Sequence, residues 1–158
     1  MSPRAAWRLE SLGFAKVYDY VAGKADWMAS GLQVEGSKAA LPRAGDVVRR
    51  DVPTCSLAEP LTEVRERVRA AGSDTCIVVN SQNVVLGRLR RKQLEAGSDR
   101  TAEEVMQAGP STIRPDVDLK SLVERLKEHK LENALVTTSG GRLIGLVYRE
   151  DAERALAS

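Results

Sequence analysis

A short basic cluster is the feature of this sequence with the most evident binding chemistry: Arg88, Arg90, Arg91 and Lys92 crowd between positions 88 and 92. Arginine presents a planar fork of donors that pairs bidentately with phosphate, so the cluster could hold a phosphate group or another anion. The alternative is a solvated basic face. Nucleic-acid binding is disfavoured, because no aromatic residues that could stack on bases alternate with these charges.

The cysteines and the histidine do not suggest a metal site or a catalytic nucleophile. Cys55 and Cys76 lie in apolar, strand-like runs, and His129 does not complete a zinc-ligand spacing with them. We therefore expect both thiols to be buried and inert. No nucleophile has a neighbouring base to activate it, so the sequence predicts a protein that is not an enzyme.

Composition indicates an ordinary globular chain of one domain, or one domain with an appendage. The 158 residues are 42% hydrophobic and 29% charged. The net charge of +2 arises from 24 basic and 22 acidic residues, a balance that does not favour a nucleic-acid partner. We find neither a signal-peptide h-region nor an apolar run of about 20 residues, so we expect a cytoplasmic location and no membrane span.

An internal repeat organises most of the chain. The segment 47–95 aligns without a gap with the segment 105–153, and the apolar pattern keeps its phase throughout. A chance match would need gaps and would lose that phase, so we treat the repeat as real. Identities fall at Thr54/Thr112, Leu61/Leu119, Glu66/Glu124, Arg67/Arg125, Val78/Val136, Ser81/Ser139, Gly87/Gly145 and Arg91/Arg149.

Each copy predicts the element order β-α-β-β-α. A short strand (53–55 or 111–113) precedes an amphipathic helix that begins after Pro60 or after Asp118, the second of these being an N-cap residue. Two apolar runs joined by a polar turn follow and predict a hairpin, and a last helix begins near Arg91 or Arg149. One copy alone would bury a poor core, so we expect the two to pack as a pseudo-twofold α/β pair.

The repeat unit resembles the CBS (cystathionine-β-synthase) domain, and the pair resembles the tandem module in which such domains occur. The resemblance covers about residues 45–156 and predicts two domains, 46–98 and 99–158. Its most diagnostic stretch is the strand that runs into the last helix: Ile144-Gly145-Leu146-Val147-Tyr148-Arg149-Glu150-Asp151 in the second copy and Leu86-Gly87-Arg88-Leu89-Arg90-Arg91-Lys92-Gln93 in the first.

The resemblance implies an adenosine-type ligand, such as AMP, ADP, ATP or S-adenosylmethionine, in a cleft between the copies, with no cofactor required. Asp151 matches the family's aspartate that accepts hydrogen bonds from the ribose hydroxyls, and its two oxygens suit a vicinal diol. The alternative is that Asp151 only stabilises the first turn of the last helix. The pseudo-symmetry of the family would place Val48, Pro53 and Asp74 in the same pocket.

The sequence departs from the family pattern in both copies. Tyr148 and Arg90 stand where the family has threonine or serine, and Gln93 replaces the aspartate of the first copy. Tyr148 could stack on a base or fill the cleft. The first-copy site therefore looks unsuited to ribose, and its residues Arg90 and Lys92 suit an anion better.

Residues 1–36 lie outside the repeat and are similar to the C-terminal end of a rhodanese-like domain. We expect a helix over 4–12, a strand over 14–20, a short helix over 26–30 and a linker over 37–45. Together these make a short α/β appendage. The loop with the catalytic cysteine of that family is missing, so the resemblance implies ancestry, a misplaced start or an expression boundary, and not sulfur transfer.

Two functions remain open from the sequence. The first is a regulatory module that binds an adenosine-type ligand. The second is a structural scaffold that forms a homodimer through its CBS pairs, with clefts filled by its own side chains; packing across such a dimer would also cover Trp7, Phe14, Tyr18 and Trp27 of the first 36 residues.

Overall fold

The computed structural model describes residues 3–29, 34–36, 41–96 and 99–157. Within them the β-α-β-β-α order occurs twice, as predicted. The first repeat contains β1 (Thr54–Cys55), α3 (Leu61–Ala70), β2 (Thr75–Val79), β3 (Val85–Arg90) and α4 (Arg91–Leu94). The second contains β5 (Thr112–Ile113), α6 (Leu119–Glu128), β6 (Asn133–Thr137), β7 (Leu143–Tyr148) and α7 (Arg149–Ala157). Helix α5 (Ala102–Val105) and strand β4 (Gln107–Ala108) connect them.

Local sequence signals explain where the helices begin. Asp118 is the N-cap of α6, and its Oδ2 accepts the Ser121 backbone N–H at 2.9 Å. The backbone N–H of Thr101 donates to Glu104 Oε2 at 2.8 Å, which confirms the predicted capping box of α5. Helices α3 and α6 each turn an apolar face inward, because their hydrophobic residues recur at helical spacing: Leu61, Val64 and Val68, and Leu119, Leu122, Val123 and Leu126.

The two repeats share a third hydrophobic core between them. Each repeat has its own core, in which its long helix packs on its sheet. Ile77, Leu135 and Leu146 form the shared core, with Leu146 wholly buried. The hairpin turns also join, because Val85 N–H donates to Gly141 O at 3.0 Å and Leu143 N–H donates to Asn83 O at 2.8 Å. The predicted pseudo-twofold pair is thus what the structure contains.

Each sheet is completed by a segment that precedes the other repeat. Strand β4, which leads into the second repeat, pairs antiparallel with β3 of the first. Arg49, which leads into the first repeat, pairs with Leu146 of β7 through hydrogen bonds of 2.8 Å and 3.0 Å. Arg49 and Gln107 are counterparts in the sequence repeat, so this exchange obeys the same pseudo-twofold. Sequence periodicity did not predict it.

Glycine permits the exchanged segments to cross the strands closely. A Cβ on Gly145 would lie 2.9 Å from Val48 Cγ2 and 2.8 Å from the Arg49 carbonyl carbon. A Cβ on Gly87, its counterpart, would meet Met106 Cγ at 2.9 Å. Both contacts are shorter than real Cβ atoms tolerate. The identity Gly87/Gly145 in the repeat therefore has a packing cause.

The structure corrects the prediction for residues 14–20. They form no strand; the described residues 3–29 contain only α1 (Pro3–Ser11) and α2 (Gly23–Ala29). A lone strand has no partner for its backbone groups, and Phe14 and Tyr18 are 60% and 79% exposed. Tyr20 meets Trp27 edge-on, with ring centroids 5.2 Å apart. The end of the predicted helix over 26–30 and much of the linker 37–45 lie outside the described residues.

None of the helices in the described ranges combines the length and the apolar character that crossing a bilayer requires.

Substitution of Gly145 by alanine tests the close crossing. We expect Gly145→Ala to lower the free energy of unfolding by about 1–3 kcal/mol, because its Cβ would collide with the backbone of Arg49, which cannot rotate away. Gly87→Ala should cost less, since the flexible Met106 side chain can yield. Gly140→Ala is the control, because its nearest neighbour would be Thr138 Oγ1 at 3.9 Å. Urea unfolding of all three variants measures the differences; equal stabilities would contradict the crossing.

Candidate functional site

Asp151, the predicted ribose-binding aspartate, forms an ion pair with Arg49 between the repeats. Asp151 lies in the first turn of α7, and its Oδ2 and Oδ1 accept hydrogen bonds from Arg49 Nε at 2.6 Å and Arg49 Nη2 at 2.9 Å. This is the bidentate fork that arginine makes with a carboxylate. Arg154 Nη1 approaches the same Oδ1 at 3.6 Å. Both oxygens of Asp151 are thus engaged by the chain's own side chains.

The exchanged segment brings Arg49 to this place. Its main chain is fixed against Leu146 of β7, so its side chain projects over the end of that strand. The guanidinium carbon lies 4.6 Å from the centre of the Tyr148 ring, within the range of a cation–π contact. The Arg49 side chain remains 53% exposed, whereas that of Asp151 is 16% exposed. The arginine therefore covers the carboxylate from the solvent side.

The charges of the pair reinforce each other. The hydrogen bonds and positive charge of Arg49 hold the pKa of Asp151 below its ordinary value. Asp151 in turn raises the pKa of Arg49, first through the hydrogen bonds and then through its charge. Asp151 is consequently ionised at neutral pH and presents only acceptors. It is ready to receive two donors from any group that takes the place of Arg49.

Val48 immediately precedes Arg49 in the chain, and Pro53 follows shortly after it. Val48 packs against Gly145, and Pro53 is buried, with its carbonyl accepting the Ile77 N–H at 2.9 Å. The structure thus joins Asp151, Tyr148 and Val48 around Arg49, and Pro53 anchors the segment to β2. Arg49 itself was missed by sequence reasoning. The repeat alignment places Arg49 opposite the uncharged Gln107. This difference in charge between equivalent positions is the sequence signal that could have identified Arg49.

A cavity of about 280 Å³ lies between the repeats, and its lining does not include Asp151. Its walls are formed by the end of β3, the first residues of α4 and the starts of β2 and β6 with the residues just before them. Arg90 and Lys92, predicted as anion-binding residues, line it, and so does Asp74, which we had expected in the pocket of Asp151. Gln93, at the position of the missing aspartate, accepts the Arg90 backbone N–H at 3.2 Å and so caps α4.

Arg88 is the second functional candidate that sequence reasoning did not single out from its cluster. It is 6% exposed and lies at the position of Leu146 in the repeat. Its Nε donates to Thr75 Oγ1 at 3.0 Å and its Nη2 donates to Asn133 Oδ1 at 2.8 Å, so it spans the two repeats. Burial, and then the charge of Arg90, lower the pKa of Arg88.

The two cysteines are buried, as predicted. They interact with each other between β1 and β2: a hydrogen bond with Cys55, together with burial, raises the pKa of Cys76, while the same bond lowers the pKa of Cys55. A thiol whose pKa is raised by burial is a poor nucleophile at neutral pH. The pair lies away from the interface of the repeats, within the core of the first.

Comparison with known families matches the model of the CBS domain to this chain twice, over residues 44–94 and 102–158. The two helices α1 and α2 precede the first match. The rhodanese-like resemblance of residues 1–36 stays a prediction.

Several relatives and solved structures are similar to most of this chain. Arabinose 5-phosphate isomerase KpsF of Escherichia coli O6:H1 is 27% identical over 114 residues, which are 68% of this chain and 35% of the relative. The chain spans 25% to 59% of the length of the curated relatives it matches. The cytosolic domain of the Mg²⁺ channel MgtE, solved in complex with ATP, is 20% identical, with a TM-score of 0.66 over 74% of this chain and 50% of that one.

The CBS domain pair of protein MJ0100 was solved with 5′-methylthioadenosine and S-adenosyl-L-methionine. It is 16% identical, with a TM-score of 0.64 over 74% of this chain and 97% of that one. At these identities the likeness shows the fold.

The acid limb of stability tests the pair of Arg49 and Asp151. A carboxylate whose pKa is lowered on folding stabilises the protein above its unfolded pKa of about 3.9, and that stabilisation disappears as the pH falls through the folded value. We therefore expect the wild type to be more stable than Asp151→Asn by a constant amount above about pH 5, and the difference to close below about pH 4.

Urea unfolding at a series of pH values measures this difference. Glu150→Gln is the control, because it removes an exposed carboxylate from the same turn and should retain the wild-type acid limb. A difference between wild type and Asp151→Asn that persists unchanged to low pH would show that the ion pair is absent in solution.

Proposed function

The chain belongs to the CBS domain family, and from that membership we propose that it is a non-catalytic regulatory module that binds an adenosine-type ligand at Asp151, between the repeats. CBS domain pairs are generally regulatory and not catalytic. We retain 46–98 and 99–158 as the two domains, while noting that each lends a segment to the sheet of the other.

The hydrogen bonding of Asp151 supports this proposal most directly. Its two oxygens accept two donors from one side chain, the demand that a ribose makes with its adjacent hydroxyls. Arg49 therefore stands where a diol would stand. The neighbouring structures with ATP, and with 5′-methylthioadenosine and S-adenosyl-L-methionine, support an adenosine compound as the occupant.

Binding at Asp151 requires Arg49 to move, and the exposure of the Arg49 side chain favours that movement. The Arg49 side chain is 53% exposed and can be hydrated when it leaves, whereas Asp151 is only 16% exposed and needs other donors in its place. Its departure would uncover the face of Tyr148, which could then stack on the adenine. Arg49 thus acts as an internal competitor that a ligand displaces. AMP, ADP, ATP, adenosine and S-adenosylmethionine are all candidates.

A dimerising scaffold is the second candidate function, and the same ion pair favours it. With Arg49 in place, Asp151 has its donors and the cleft is closed by the chain's own side chains. The exposed Trp7, Phe14 and Tyr18 of the N-terminal segment would then be covered by a second copy. In that case the substitution of Asp151 would change stability alone.

Opposite effects at Asp151 and Arg49 distinguish the two functions. In thermal-shift assays, a ligand at about 100 times its Kd adds about 2.7 kcal/mol, which raises Tm by several degrees. We expect Asp151→Ala to weaken binding at least about ten-fold, because it removes charge-assisted hydrogen bonds. Arg49→Ala should strengthen binding roughly two- to five-fold, because it removes the competitor.

The assay uses adenosine, AMP, ADP, ATP, NAD and S-adenosylmethionine in turn, and Arg50→Ala is the control for loss of an exposed cation beside the site. A response with no compound at millimolar concentration would favour the scaffold. Weaker binding by Arg49→Ala would show that this arginine holds the ligand and does not compete with it.

A further inference from the structure

A buried arginine, Arg88, lies at the interface of the repeats without a hydrogen-bonded carboxylate among the described residues, although Asp74 lies near enough for its charge to raise the pKa of the arginine. Within the described residues, the hydrogen bonds of Arg88 go to neutral oxygens, those of Thr75 and Asn133. Its counterpart in the second repeat is Leu146, which fills the same kind of place with hydrocarbon. The fold therefore accepts an apolar side chain at this position, and the guanidinium is not needed for packing.

Holding that cation has a cost. A charge taken out of water is unfavourable unless it is paired, and replacement of a buried charge by a well-packed hydrophobic residue is often neutral or stabilising. Burial and the nearby Arg90 already lower the pKa of Arg88, although a guanidinium keeps its proton. Residues that break a local rule in this way are expected at functional sites.

The cavity beside Arg88 carries an excess of positive charge. Its basic side chains are Arg88, Arg90, Arg91, Lys92 and Lys130, against the carboxylates of Asp74 and Glu132. Lys130 and Glu132 of the second repeat cancel, so the surplus comes from the first repeat, while the second repeat supplies the facing wall. Low-dielectric walls concentrate such a field. The volume of about 280 Å³ admits a phosphate group with a small organic part.

We propose that this cavity is an anion site that binds a phosphate group, with the buried guanidinium of Arg88 as its anchor. Thr75 and Asn133 fix the fork from one side, so its orientation is set before the anion arrives. Arg90 and Lys92 supply further charge at the rim. The site is distinct from that of Asp151, and it does not depend on a ribose or on the function proposed above.

Inorganic phosphate is the probe for a direct test. Titrations followed by amide NMR, at constant ionic strength set with sodium chloride, should show saturable shifts at Thr75 and Asn133. We expect Arg88→Leu to weaken phosphate binding at least about ten-fold, while its Tm without phosphate equals or exceeds that of the wild type. If Arg88 were purely structural, its replacement would lower Tm and would not selectively remove phosphate binding.

Three variants make the outcome unambiguous. Arg125→Leu removes an exposed arginine of α6 by the same substitution and should bind phosphate as the wild type does. Arg88→Lys keeps the charge but loses the fork, so it should bind phosphate more weakly than the wild type even if Arg88→Leu does not fold. Asp151→Ala should leave phosphate binding intact, which separates this site from the adenosine proposal. Unchanged binding in Arg88→Leu or Arg88→Lys, or no saturable shift in the wild type, would overturn the proposal.

Discussion

The segments before the two repeats cross over, and each closes the sheet of the other repeat. Backbone pairing of Arg49 with Leu146, and of β4 with β3, ties the repeats together at two equivalent edges. The crossing needs a glycine in each strand, because a side chain at Gly87 or Gly145 would occupy the space of the crossing segment. Neither repeat is complete without the other, so both clefts are composite by construction.

A symmetric backbone with asymmetric side chains gives the two clefts different chemistry. The carboxylate Asp151 has Gln93 as its counterpart, and the cation Arg49 has Gln107. One cleft thus presents a paired acceptor that suits two hydroxyl donors. In the first repeat Gln93 caps α4, and beside the other cavity the buried Arg88 takes the place of the apolar Leu146. The side-chain differences at equivalent positions therefore make the two clefts chemically unequal.

The fold could be predicted from the sequence because the same pattern of elements occurs in both repeats. Helical spacing in α3 and α6, the capping signals at Asp118 and Thr101 and the two hairpins all depend on local sequence, and the structure has them. The predicted strand over 14–20 is wrong, because alternating apolar and polar residues alone predict a strand, whereas a stable strand also needs a neighbouring strand to pair with.

The site was harder to predict because its decisive contacts are long-range. Arg49 and Asp151 are far apart in the chain, and the bridge that joins their elements is too short to leave a periodic signal. Asp74 was assigned to one cleft by symmetry, and it lines the other cavity. Arg88 became informative only once its burial opposite Leu146 was known.

Displacement of Arg49 from Asp151 can be followed by the NMR signal of the Arg49 Nε–H, assigned by its loss in Arg49→Ala and monitored while S-adenosylmethionine is added. In the free protein this proton is held by Asp151. If the ligand takes the carboxylate, the signal should shift toward that of a free arginine and exchange faster with water in step with binding. Saturation of the protein with the ligand while the Arg49 signal stays where it was would show that the ligand does not displace Arg49.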